Sequence, residues 1–154
     1  MKKLIPILII ALFIFAPATA MGWEWQTREQ DRELGRLSSN PFAPGSTSNP
    51  YGAGNPYRHD SPNNPYGRYG NPYSPYSATN PFATSAPRLY DSQGNYRGRL
   101  SSNPFHPESI SNPYGRYGNP YSPHSVNNPY GAGNPYRHDS PNNPYGRGWS
   151  IYGD

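Results

Sequence analysis

Asn-Pro occurs twelve times in this chain, at Asn40, Asn49, Asn55, Asn64, Asn71, Asn80, Asn103, Asn112, Asn119, Asn128, Asn134 and Asn143. Each copy is followed by an aromatic residue, Tyr nine times and Phe three times. The spacings run 9, 6, 9, 7, 9, then 23, then 9, 7, 9, 6, 9. The repeating unit is therefore 15 or 16 residues long and holds two Asn-Pro-aromatic sub-motifs. Residues 49–68 recur unchanged at 128–147, and 64–75 at 112–123, so duplication made the pattern.

The unit is built from turn chemistry. In Asn-Pro-Tyr-Gly the Asn side chain can fold onto the backbone two residues on. Pro sets φ near −65° at the second position, and Gly suits the fourth. Ser61–Pro65 and Ser140–Pro144 add a second pre-proline restraint, which disfavours helix. A proline every few residues removes donors from any helix or central strand. The arrays read as chains of turns.

Composition leaves two outcomes for them. Pro, Gly, Tyr, Asn and Ser make up 55% of the 154 residues. Beyond residue 20 only fourteen residues are Val, Ile, Leu, Met, Phe or Trp, too few for an ordinary core. A buried Tyr contributes about 4–6 kcal/mol by area. Ordering costs about 1–2 kcal/mol per residue, and each Tyr serves several residues. The expectation is a mostly irregular, turn-rich repeat protein. It is either a partly ordered solenoid, with each aromatic packed against the next turn, or a disordered tract.

Two segments depart from the repeat. Leu89–Asp91 and Tyr96–Leu100 flank Ser92-Gln93-Gly94-Asn95, which reads as one short β-hairpin near 89–100. Thr27–Leu34 reads as a short helix, with Thr27 and Gln30 as a capping box and Gly35 as the stop. Arg36–Phe42 recurs unchanged as Arg99–Phe105, which divides the chain into halves. On that alignment the helix would occupy the place of the hairpin, so the two readings conflict.

The leader supplies a location. Met1-Lys2-Lys3 is a positive start and Leu4–Phe15 an apolar run broken only by Pro6, too short for the roughly 20 residues of a membrane span. Ala18-Thr19-Ala20 then matches a signal-peptidase site, with Ala18 and Ala20 as its small residues. A signal helix, Sec-type export to the periplasm or extracellular space, and no stable membrane span after cleavage are expected. The remainder carries 11 Arg against nine acids, too little excess to imply a nucleic-acid partner. With no cysteine, thiolate metal sites and thiol nucleophiles are excluded.

No paired-carboxylate, phosphate-loop or zinc pattern appears, so neither an enzyme nor a cofactor is expected. His59, His106, His124 and His138 fall at or near turn slots that Pro fills in other units. Arg beside Tyr is the more informative pairing, because guanidinium stacks well on aromatic faces. Arg68 with Tyr69, and Arg116 with Tyr117, are the candidate ligand-binding residues. Internal packing of Arg on Tyr is the competing account of the same pairs.

The run Leu89–Pro104, followed by Ser-Asn-Pro-Tyr-Gly and Gly-Asn-Pro-Tyr-Ser-Pro units, resembles a loose group of uncharacterised small exported bacterial proteins. The likeness spans residues 36–148 and implies a bacterial envelope setting without an activity. The expected organisation is a signal peptide at 1–20, a charged segment at 21–35 and a first array at 36–87. A hairpin at 88–100, a second array at 101–148 and a tail at 149–154 follow. The expected role is structural or multivalent interaction through Tyr and Arg contacts, with cell-wall glycan or an envelope protein as partner. The alternative is a glycan- or peptidoglycan-binding module with exposed Tyr platforms.

Overall fold

The computed structural model describes residues 31–154. Four strands form one sheet: β1 (Arg32–Leu37), β2 (Arg88–Tyr90), β3 (Tyr96–Arg99) and β4 (Trp149–Gly153). The order across the sheet is β1-β4-β2-β3, every pair antiparallel. This corrects the expectation of an irregular chain with a single hairpin. The segment 88–100 is half of a sheet whose other half comes from residues far away in sequence.

Two further expectations change with it. Residues 32–34, assigned to a helix, begin β1, and no helix occurs among the described residues. Residues 149–153, assigned to a tail, form an inner strand of the sheet. Alternation explains β4: Trp149, Ile151 and Gly153 are buried while Ser150 and Tyr152 are half-buried on the other face. The signal helix and the Ala18–Ala20 cleavage site lie outside the described residues.

The sheet has an approximate two-fold relation. Exchanging the halves carries β1 onto β3 and β2 onto β4, the β1–β4 pairing onto β3–β2, and the central β2–β4 pairing onto itself. Leu89 pairs with Ile151 at the centre, with Arg88↔Tyr152 and Tyr90↔Ser150 on either side. Leu34, Leu89, Trp149 and Ile151 are at most 1% exposed and form the core with Tyr69, Val126 and Ala132. Between β2 and β3, Gly94 takes a positive φ of 82°, and the Asp91 carboxylate accepts the backbone N–H of Gln93 and of Asn95.

The arrays are ordered, turn-built coils, and the aromatics of the Asn-Pro turns do not line their interiors. Serine does. Ser46, Ser61 and Ser77 in the first array, and Ser109, Ser125 and Ser140 in the second, are at most 1% exposed. Ser61 shows the pattern: its hydroxyl donates to Ala53 O at 2.9 Å and accepts the Asn63 N–H at 3.2 Å. Ser46 and Ser109 repeat it on Ser38 O and Ser101 O. Backbone bonds such as Ala53 N–H to Pro44 O and Ala132 N–H to Pro123 O hold the sides of each coil together.

Successive coils are tied by asparagine. The Asn63 amide donates to Gly54 O in one direction and to Thr47 O, sixteen residues back, in the other. Asn127 and Asn142 do the same in the second array. Among the described residues the first coil of each array follows no earlier coil of that array, and there the position holds Ser48 or Ser111, each donating to a carbonyl ten residues back. No buried side-chain nitrogen or oxygen among the described residues lacks a partner. That completeness lets a polar interior stand, since an unpaired buried group costs about 1–3 kcal/mol.

Candidate binding surfaces

All twelve Asn-Pro-aromatic turns close in the same way. The Asn side-chain oxygen accepts the backbone N–H of the aromatic residue at 2.8–2.9 Å. Proline fixes the position between them, so the corner is rigid while its aromatic projects outward. These twelve side chains are 87–94% exposed. Scattered surface aromatics are ordinary, but a set repeated at equivalent positions of stacked coils is an organised apolar display.

The two sub-motifs differ beneath that display. At Asn49, Asn64, Asn80, Asn112, Asn128 and Asn143 the amide also donates to the carbonyl six residues back, at 2.8–3.0 Å. These residues fasten the coil as well as the turn. The other six Asn close only their own turns among the bonds of the described residues.

The Arg–Tyr pairs singled out in the sequence sit differently. Tyr69 is 5% exposed, belongs to the core, and donates its hydroxyl to Asp154 O at 2.8 Å. Burial raises its pKa, against the opposing pull of Arg68 and Arg32. The Arg68 guanidinium lies 5.9 Å from the Tyr69 ring and 3.7 Å from that of Tyr76, so its closer aromatic partner is one the sequence did not suggest. Arg116 lies 5.8 Å from Tyr117, and Tyr117 packs edge-to-face on Tyr96. The two sites are not brought together into one surface by any contact among the described residues.

His124 stands between two guanidiniums, 3.0 Å from Arg116 and 3.4 Å from Arg97. Desolvation, then the charges of Arg116 and Arg97, lower its pKa. The His106 ring nitrogen accepts the Glu108 N–H at 3.2 Å, a turn role. No group of three potential metal ligands occurs among the described residues.

Sequence reasoning missed one further place. A cleft of about 680 Å³ opens beside the sheet, with Arg36, Tyr90, Ser150, Tyr152 and Arg147 among its walls. Its residues come from β1, β2, β4 and the end of the second array, so no local motif marks them. Comparison of the chain with protein-family models, with curated proteins and with solved structures finds no match.

Proposed function

We propose that this chain is an exported, non-enzymatic repeat protein of the bacterial envelope, periplasmic or extracellular, that works by multivalent contact. The observation that carries the reading is the display of twelve exposed aromatics on corners fixed by Asn-Pro turns. Repetition matters more than any single ring. Linked weak contacts raise overall avidity by orders of magnitude when the geometry allows simultaneous engagement. Rigid corners also reduce the entropy lost on binding.

The leader supports export, and the hydrogen-bonded serine interior supports a structural rather than a catalytic scaffold. The alternative, a glycan- or peptidoglycan-binding module, draws on the same exposed Tyr, which can serve as flat platforms for sugar rings.

The test is retention of envelope material by the purified chain. Wild type is compared with variants in which three, then six, of Tyr51, Tyr66, Phe82, Tyr114, Tyr130 and Tyr145 become Ser. Multivalency is expected to give a loss steeper than proportional. Equal retention by wild type and the six-fold variant would overturn the proposal. Retention by purified peptidoglycan, competed by soluble muropeptides, would select the glycan reading.

A further inference from the structure

The two halves carry the same strands, and three of the differences between them bear on one cleft: Gly45 beside Arg36, and Arg147 and Ser150 in the cleft wall. In the second half Arg99 is matched by Glu108: the guanidinium donates to the carboxylate at 3.1 Å and also to Ala86 O at 2.8 Å. The backbone bridges Arg36↔Ser46 and Arg99↔Ser109 make Arg36 the counterpart of Arg99 and Gly45 the counterpart of Glu108. Gly45 has no carboxylate to offer. A Cβ built there would lie 4.0 Å from Arg36 Cγ, so a side chain at this position would sit beside Arg36. Among the described residues no carboxylate takes the place beside Arg36 that Glu108 holds beside Arg99.

Two more exchanges follow. Arg147 donates its N–H to His138 O, as Ser85 does to Pro75 O, so the first half holds Ser where the second holds Arg. Ser150 stands across the sheet from Tyr90, where the two-fold relation places Arg88 opposite Tyr152. The short side chain of Ser150 leaves room, and Arg147 adds a second guanidinium. Among the described residues neither Arg36 nor Arg147 makes an ion pair. The two carboxylates in the cleft wall are already engaged, Asp91 with Arg97 at 2.8 Å and Asp31 with Arg88.

We propose that this cleft binds the carboxylate of an acidic sugar between Arg36 and Arg147. Guanidinium recognises a carboxylate through paired N–H donors. Tyr90 and Tyr152, edge-to-face at 5.7 Å, give the aromatic wall that a sugar ring packs on, and Ser92 and Ser150 supply hydroxyl partners. Asp31 and Asp91 in the same wall favour a singly charged carboxylate over a doubly charged phosphate. The volume suits a small saccharide rather than a polymer wrapped around the protein. This site is separate from the aromatic corners and does not depend on what they bind.

The experiment is calorimetric titration of the purified protein with a galacturonate trimer, the neutral galactose trimer and inorganic phosphate. Saturable binding of the galacturonate trimer is expected, with the neutral trimer and phosphate at least tenfold weaker. Gly45→Glu, which restores the carboxylate of the other half, is expected to weaken binding at least tenfold with the melting temperature kept or raised. Arg147→Ser, the residue of the other half, is expected to weaken it comparably. Glu108→Gly is expected to leave it unchanged. No binding of the galacturonate trimer, equal binding of the neutral trimer or phosphate, or equal affinity in folded Gly45→Glu would each overturn the proposal.

Discussion

The sheet and the coils are interiors of opposite chemistry within one chain. The sheet buries Leu34, Leu89, Trp149 and Ile151, and takes its stability from apolar area removed from water. The coils bury serine, whose side chains remove little apolar area, and hold by hydrogen bonds that leave no buried side-chain nitrogen or oxygen of the described residues unpaired. A net protein hydrogen bond is worth only about 0.5–1.5 kcal/mol, so the coils depend on making all of them. Proline helps from the other side, because a restricted unfolded chain loses less entropy on folding. A polar interior is thus workable where turns are preset and every donor has an acceptor.

Substitutions should separate the two interiors. The largest effect is expected from Trp149→Ala, which removes the largest buried side chain of the sheet core and should cost about 3–5 kcal/mol by chemical denaturation. Ser61→Ala removes few atoms but orphans Ala53 O and the Asn63 N–H, and about 1–3 kcal/mol is expected. A Ser61→Ala cost below the uncertainty of the measurement would mean that the coils do not rest on their hydroxyls.

Acid should divide the regions further. Burial raises the pKa of Asp91, but hydrogen bonds from the Asn95 and Gln93 backbone and from the Arg97 and Asn95 side chains outweigh it, leaving the carboxyl below its ordinary value. Its contribution is therefore complete above the usual carboxylate range and is lost as pH falls through the lowered folded-state pKa. Protection factors at Tyr96–Arg99, taken relative to the intrinsic exchange rate at each pH, are expected to fall on acidification before those around Ser109 and Ser125 do. An equal fall in protection at both would remove the distinction. The smallest effect is expected from Tyr66→Ser, within about 0.5 kcal/mol in thermal melts, because its ring is 92% exposed.

The corners were legible because they are local: Asn, Pro and aromatic at consecutive positions state a turn that needs no distant partner. The direction of the aromatics was harder to read. Counting Tyr as core material follows from its area, yet the third position of these turns points away from the chain. The interior was written instead in serines recurring 15 or 16 residues apart, at Ser46, Ser61 and Ser77. The sheet was hidden because its strands are three to six residues long and pair across the whole chain. The helix read over Thr27–Leu34 rested on a capping box at Thr27 and Gln30, which lies outside the described residues, while at 32–34 the repeat of Arg36–Phe42 at Arg99–Phe105 argued for the strand that is found. The cleft could be found only by laying one half on the other, where Gly45 falls against Glu108.

Arg32 pairs with Gly153, so the start of β1 and the end of β4 lie side by side. The two-fold relation places that junction where Asp91–Asn95 turns β2 into β3. Topologically the two places are interchangeable. The chain could be opened at the hairpin and closed with a short linker between residues 32 and 153, a circular permutation that keeps every strand neighbour and both arrays. In strand connectivity, residues 32–153 trace a ring of two matching arcs, in which the hairpin and the β1–β4 junction are equivalent places.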